Sequence, residues 1–374
     1  MNNTRRKKTG KTGTQKKPSE KREKEIDFLT KYLNNPSPTG YETEGQKIWL
    51  EYLKAYTDDY FVDNYGSVAA IINPKASYKV VIEAHADEIA WAVHFITEDG
   101  FIYVERIGGS DHIIAPSKRV NIHTDKGIKK AVFGWPEIHT RRVKDDLPEL
   151  KNIFLDCGCT SKKEVLDLGI SIGDPITFDD DFFVMNDKYF VGRALDNRIG
   201  GFIIAQVARL LKQNKIKLPY GLYIVNSVQE EIGLRGAEMM AQQIKPDVAI
   251  VTDVTHDSNT PMISKNIEGD LKLGRGPALT KGPAVHNKLL KIIEDAAKTN
   301  KIDWQRDVAS RTTGTDTDAF AYSNGGVPTC LIALPLRYMH TTVECVHKQD
   351  VEAVIQLIYH TLLNLKPGFN YKYL

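Results

Sequence analysis

The stretch Tyr220-Gly-Leu-Tyr-Ile-Val225 runs through Asn226-Ser-Val-Gln229 into two adjacent carboxylates, Glu230 and Glu231, before Ile232 and Gly233. Its apolar half has the length and the aromatic and branched composition of a buried strand. Like charges a few ångströms apart repel and raise each other's pKa, so the pair either points into water or faces strong positive charge. In open α/β sheets, functional groups collect beyond the carboxyl ends of the strands. The residues just beyond the other apolar runs therefore decide between the two readings.

After Val80-Val-Ile82 comes Glu-Ala-His85-Ala-Asp87. After Val248-Ala-Ile-Val251 comes Thr-Asp253-Val-Thr-His256, and after Cys330-Leu-Ile-Ala-Leu334 the chain continues to His340. Gly192-Arg-Ala-Leu-Asp196 stands just before a helical pattern. Each element alone is weak, because a lone histidine near a strand end is more often simply packed or solvated. Together they offer two imidazoles and several carboxylates at one rim, a mixed N/O set suited to Zn²⁺, Co²⁺ or Mn²⁺. One zinc needs only three protein ligands and water, so the surplus points to two ions sharing a carboxylate. Neighbours in an extended segment project to opposite sides, so Glu230 and Glu231 should part. One would bind a cation and the other would stand beside the activated water as general base.

Outward from this rim, Glu25–Leu33 and Glu44–Tyr56 read as helices around the loop Asn-Pro-Ser-Pro-Thr-Gly, and residues 67–72 and 78–83 as strands. From about Trp91 to Asp187, short alternating runs and glycine-rich turns indicate a small β-rich module. Beyond it, strands and helices alternate through residues 197–212, 220–228, 235–244, 248–252, 286–298, 328–334 and 350–364. The fold class is therefore α/β, a mixed and mostly parallel sheet flanked by helices, with the β-rich module inserted. The expected division is a basic tail over 1–24, a catalytic part over 25–92 and 187–374, and the insertion over 93–186.

The 374 residues are 41% hydrophobic and 26% charged, as in ordinary globular chains. Residues 1–25 carry ten Lys or Arg against three Glu, a charge of +7 within a whole-chain +2, which leaves −5 for the rest. A mildly acidic body gives no electrostatic support to nucleic-acid binding, and the tail, without aromatic residues, reads as a solvated disordered arm. The four cysteines are too few for a disulfide framework, and Cys157-Gly-Cys159 lacks a second ligand pair, so these two are expected as small core residues near a strand end rather than on a metal. The chain shows no apolar run of transmembrane length and no signal-peptide core, which points to a cytoplasmic protein.

His-Ala-Asp-Glu-Ile (85–89), Ala-Leu-Asp-Asn-Arg-Ile-Gly (194–200), Val-Gln-Glu-Glu-Ile-Gly-Leu-Arg-Gly-Ala (228–237), Thr-Asp-Val-Thr (252–255), Gly-Thr-Asp-Thr-Asp-Ala (314–319) and Arg-Tyr-Met-His-Thr-Thr-Val-Glu (337–344) resemble, in order, the tetrahedral or TET dinuclear-metal aminopeptidases. The opening Asn-Pro-Ser-Pro-Thr-Gly-Tyr-Glu is also similar to that family's. The resemblance implies a zinc-peptidase-like catalytic domain and a PDZ-like insertion serving dimerisation, with twelve subunits closing a hollow tetrahedron that admits unfolded peptides. It implies Asp196 as the carboxylate bridging two divalent ions, His85 and Asp253 on one ion, and Glu231 and His340 on the other. Glu230 would be the base for a water held between them, and Asp87 would orient His85. Zinc is the first expectation, with cobalt and manganese as alternatives. The pattern Gly314-Thr-Asp-Thr-Asp-Ala319 is more spread than the family's, leaving Asp316 and Asp318 as alternatives for one role, and His139, His256 and His347 are expected outside the ligand set.

Removal of a substrate's N-terminal residue is thus the leading reading of function. A metal-dependent deacylase of N-acyl amino acids is a second, separated from the first by a requirement for a free α-amine. A glycosidase would work through two opposed carboxylic acids without a metal, so the histidines count against it. A catalytically inactive shell protein would lack a ligand or the base, and all six positions are filled.

Overall fold

The computed structural model describes residues 20–141 and 147–374. The tail expected over 1–24 lies mostly outside the described residues, and its end already belongs to the first helix. That helix, α1 (Glu20–Asn34), is followed by α2 (Thr43–Leu53) and strands β1 (Asp59–Val62), β2 (Val68–Ile72) and β3 (Lys79–His85). The inserted segment then forms β4 (Ala90–Ile96), β5 (Phe101–Ile107), β6 (Arg119–Thr124), β7 (Gly127–Gly134), β8 (Phe154–Asp156), α3 (Lys162–Asp167) and β9 (Pro175–Phe178). The chain continues through β10 (Phe183–Met185), β11 (Tyr189–Gly192), α4 (Leu195–Gln213), β12 (Gly221–Ser227), α5 (Arg235–Ile244) and β13 (Val248–His256). It ends with α6 (Lys265–Glu268), β14 (Ala278–Lys281), α7 (Asn287–Thr299), β15 (Gln305–Val308), α8 (Asp316–Ala321), β16 (Thr329–Leu336), β17 (Glu344–His347) and α9 (Lys348–Asn364).

The main sheet has eight strands in the order β1-β2-β12-β3-β13-β16-β14-β15. Its centre, β12-β3-β13-β16, is parallel throughout, and antiparallel pairs occur at β1-β2, β2-β12 and β14-β16. Both faces are covered, so the central strands are apolar at nearly every position rather than alternating with polar residues. Along β3, Val80, Ile82 and Ala84 face α1, α4 and α9, whereas Val81 faces the layer of α5 and α8. Period-two projection thus feeds two separate cores from one strand.

The insertion is a closed six-stranded barrel, β4-β5-β8-β7-β6-β9, with a core of its own. Trp91, wholly buried, meets the Phe133 ring edge-on at 5.4 Å inside it. Because Trp91 is core to the barrel, β4 begins at Ala90, before the expected boundary at residue 93. At the other end β10 leaves the barrel and pairs through β11 with β17. Cys157 and Cys159 pack partly buried against the barrel core, and all four cysteines are free.

Short strands escaped the sequence reading. β14 and β15, four residues each near one sheet edge, carry few apolar side chains, and β1 at the other edge, though largely apolar, is only four residues long. In the larger core, Trp49 of α2 is fully buried and donates its ring N–H to the Gly201 carbonyl of α4 at 2.8 Å. Trp49→Ala removes that bond and leaves a cavity the sheet cannot close, so chemical denaturation should show a loss of about 3–5 kcal/mol.

Candidate metal centre

Because β12, β3, β13 and β16 run parallel, their carboxyl ends share one rim, with Ser227 level with His85 and Asp253 level with Ala333. His85 is the last residue of β3, and Asp253 lies inside β13. Asp196 stands at the start of α4 in a non-helical conformation (φ −80°, ψ 109°), which turns its carboxylate away from the helix and toward the rim. It divides its two oxygens: Oδ1 is 3.2 Å from His85 Nε2 and Oδ2 is 3.3 Å from His340 Nε2.

Glu230 and Glu231 part, as expected, but not for the expected reason. β12 stops at Ser227, and Gln229 adopts a left-handed conformation (φ 59°), so the pair sits on a turn rather than an extended segment. Glu230 Oε2 faces His85 Nε2 at 3.9 Å, and Glu231 Oε2 faces His340 Nε2 at 3.4 Å. Asp253 Oδ1 is 3.9 Å from His85 Nε2. The six residues singled out as ligands or base therefore meet in one cluster.

Burial raises the carboxyls of Glu230, Glu231 and Asp253, and the neighbouring acids add to it; Glu230 is pushed up to about 10, with His85 partly offsetting the rise. Asp196 moves the other way: the hydrogen bonds and charges of His340 and His85 outweigh its burial and hold it well below the usual carboxylate range. Burial disfavours both imidazolium ions, yet the surrounding acids win. Glu230, Asp196 and Asp87 raise His85 well above its ordinary value, and Asp196 and Glu231 bring His340 up to about 11. The cluster is thus an arrangement of acids that demands positive charge.

The residues behind the cluster fix its backbone. Asp87 accepts the N–H groups of Glu230 and Glu231 at 3.0 and 3.2 Å and the Thr39 hydroxyl at 2.8 Å. Its Oδ1 is also 3.2 Å from His85 Nδ1, close enough for an ion pair though not aligned as a hydrogen bond. Glu42 accepts the Gln229 N–H at 3.2 Å, and burial followed by the Asp87 charge pushes its carboxyl up to about 8. Glu344 accepts the N–H of Asp196 at 3.0 Å and that of His340 at 2.8 Å.

The sequence reading singled out neither Glu42 nor Glu344, although both stand in the motif stretches. Their partners are backbone amides distant in sequence, which leave no side-chain pattern. The ambiguity in the 314–319 stretch is resolved by placement. Asp318 binds the N–H groups of Thr313 and Gly314 and closes a local turn. Asp316 is buried and accepts the Ser227 hydroxyl at 2.7 Å beneath the rim. Of the spare histidines, His139 and His256 are exposed, and His347 accepts the Gln349 N–H at the start of α9.

Two groups here could hold a cation, His85 with Asp196 and Glu231, and His85 with Glu230 and Asp253, each with its ligand atoms within 4.8 Å of one another. Buried Glu231 Oε1 and His85 Nδ1 have no hydrogen-bond partner, and the mixed imidazole and carboxylate donors suit a borderline dication. The residues present fit such a group.

A mixed α/β sheet with acids and imidazoles gathered at its carboxyl rim defines a candidate metal-binding protein, and similarity makes the class specific. Residues 66–357 match the M42 glutamyl aminopeptidase family, and the chain belongs to it. Lysyl aminopeptidase of Pyrococcus furiosus is 32% identical over 345 residues, 91% of this chain and 97% of its own. The crystal structure of a TET aminopeptidase from a marine sediment thaumarchaeon matches with a TM-score of 0.87 at 29% identity, covering 91% of this chain and 96% of that one. The Pyrococcus horikoshii TET1 peptidase, which assembles into a tetrahedron or a large octahedral shell, matches with a TM-score of 0.80 at 27% identity, covering 90% and 98%. The chain is an aminopeptidase, a hydrolase of peptide bonds.

Removing Glu344 tests the backbone support. Glu344→Ala leaves the buried N–H of Asp196 and the part-buried N–H of His340 without their acceptor and frees both residues, so competition with a chromophoric chelator should show divalent-cation affinity falling about 10- to 100-fold.

Proposed function

We propose that this aminopeptidase works with two divalent cations, to each of which Asp196 would offer one oxygen. His85 and Asp253 would hold one, and Glu231 and His340 the other. The observation that carries this reading is the division of the Asp196 carboxylate, one oxygen toward each imidazole at 3.2 and 3.3 Å. When bound, such cations polarise the scissile carbonyl and acidify the attacking water. Zinc suits the donors best, and cobalt or manganese would also fit.

The chain's own residues supply the proton traffic. Glu230 faces the cluster from the turn after β12; although it could join His85 and Asp253 in holding a cation, its role in this reading is the base. It takes a proton from the water as the oxygen adds to the first peptide carbonyl. When the C–N bond breaks it returns that proton to the leaving amine. Asp87 holds Glu230 and Glu231 by their backbone N–H groups and faces the Nδ1 edge of His85, so it fixes where the base and one imidazole stand. A free α-amine on the substrate would complement this acid-rich rim, which favours removal of single residues from short or unfolded peptides over deacylation of N-acyl amino acids.

We further read the protein as cytoplasmic, forming dimers that build a tetrahedral dodecamer. The assembly of the similar Pyrococcus horikoshii peptidase supports the shell. Among the described residues no helix is long and apolar enough to cross a membrane.

The reading is tested on metal-stripped protein with zinc, cobalt or manganese restored, using aminoacyl-p-nitroanilides and their N-acetylated counterparts. Activity should return only with metal and only on free-amine substrates. Glu230→Gln should lower kcat by about 10²–10⁴-fold while two cations per chain are still taken up. Full activity in that variant removes Glu230 as the base, and hydrolysis of acetylated substrates favours the deacylase.

A further inference from the structure

Where the barrel's β5–β6 loop meets the cluster, glycines make the contact. The loop from β5 to β6 brings Gly108 and Gly109 against Glu231 and His340. A Cβ built on Gly109 would lie 2.5 Å from His340 Nδ1 and 2.6 Å from Cε1, and one on Gly108 would lie 3.1 Å from Glu231 Cβ. Carbon contacts at equilibrium are about 3.5–4 Å, so no side chain fits at Gly109 unless the imidazole moves. Gly109 presses the Nδ1–Cε1 edge of the ring, and Cε1 is bonded to Nε2, the nitrogen that faces Asp196 and Glu231.

The surrounding contacts make this a support rather than a chance approach. Ser110, fully buried, donates its hydroxyl to the Ala90 carbonyl at 2.6 Å and pins the loop to the first barrel strand. Lys118, also on the barrel side, donates to Thr342 Oγ1 at 2.7 Å, in the segment that carries His340. Phe178, the last residue of β9, lines a small cavity with Asp196, Glu231, His340 and Glu344. His340 itself is a non-glycine residue in a left-handed conformation (φ 61°) on a loop, and its side chain is part-exposed. A ligand on such a loop is held only as well as its neighbours hold it.

We propose that Gly109 is a positioning residue. The barrel, besides any part in assembly, is the wall that sets the His340 imidazole and, through Gly108, the Glu231 backbone at their distance from Asp196. The inference rests on the proposed two-cation reading of the cluster. It assigns the barrel side to one cation alone, because His85 and Asp253 have no partner in the β5–β6 loop among the contacts described.

Gly109→Ala tests it cleanly, since Gly109 does not occupy the left-handed region and alanine there adds bulk without backbone strain. In the full-length chain, zinc or cobalt titration against a competing chelator should show one cation bound as in the parent and the other weakened at least about 10-fold. The loss should appear in kcat more than in KM. Gly127→Ala is the control. That glycine is in the β6–β7 turn at φ 88° with nothing near its added methyl, so it carries strain without reaching the cluster, and its titration should match the parent's. If Gly109→Ala does not fold by circular dichroism, Lys118→Met carries the test. It severs the bond to Thr342 and should weaken the same cation about 2- to 5-fold.

Two cations bound with parental affinity by folded Gly109→Ala, or by Lys118→Met where that variant is needed, overturn the proposal and leave the reading of the site intact. A parent protein that takes up no cation sinks the two-cation reading itself, and the inference with it.

Discussion

One carboxylate shared by two imidazoles organises this molecule. Asp196 is buried, and each of its oxygens faces a histidine drawn from a different part of the chain. Around it stand Glu230, Glu231 and Asp253, all with carboxyls raised by burial and mutual repulsion. Two unit charges 4 Å apart repel by about 4 kcal/mol at an effective dielectric of 20, so four such acids do not ionise together without compensating cations. The fold must therefore hold the acids in place mechanically, because their own electrostatics push them apart. It does so through peptide N–H groups, with Asp87 collecting those of Glu230 and Glu231 and Glu344 those of Asp196 and His340. Each holder grips the main chain, so the side chains remain available for a cation.

The same logic explains the proline-containing loop between α1 and α2, far from the rim in sequence. The Thr39 N–H donates to the Glu88 carbonyl at 3.1 Å, and the Ser37 N–H to the Glu88 carboxylate at 2.6 Å, which lays the loop along the segment leaving β3. The other Glu88 oxygen meets Arg193, buried beside the entry to α4. Arg198, one turn into that helix and fully buried, binds the carbonyls of Tyr32 and Asn35 and lies over the Tyr32 ring at 4.3 Å. The loop is thus a strap between the two chain segments that present His85 and Asp196. Both buried arginines lie within ion-pair distance of Glu88, and removing that carboxylate would be costly.

The sequence revealed the site better than it revealed the scaffold. The helix expected over 235–244 is α5 residue for residue, and the parallel centre of the sheet follows from its apolar runs. His85, Glu230, Glu231, Asp253 and His340 were legible because each lies at or a few residues beyond the end of an apolar run, and Asp196 because it opens a strongly apolar helix. What stayed hidden depends on distance. β15, with the sequence Gln305-Arg-Asp-Val308, becomes a strand only because β14 lies beside it. Glu344 looks like any acid until the fold brings two amide groups to it. Asp316 and Asp318, two residues apart on the short helix α8, look interchangeable until one is found buried at Ser227 and the other tied to a surface turn.

The point of insertion limits what the barrel can be. The chain leaves the main sheet at His85 and, after the barrel and β10–β11, returns to Asp196, whose carboxylate is 3.2 Å from that same histidine. A module spliced between two residues in contact must begin and end at the contact, so its first and last strands, β4 and β9, pair with each other and stand at the rim. Its loops then either crowd the cluster or support it. Crowding is avoided only where side chains are missing, and Gly108 and Gly109 occur where the β5–β6 loop meets Glu231 and His340. A freely hinged appendage would have no need for glycines there, nor for the buried Ser110 bond that fixes the loop to β4. The barrel is built in register with the cluster, and at Gly109 the fit is close enough that even a methyl group would meet the His340 ring.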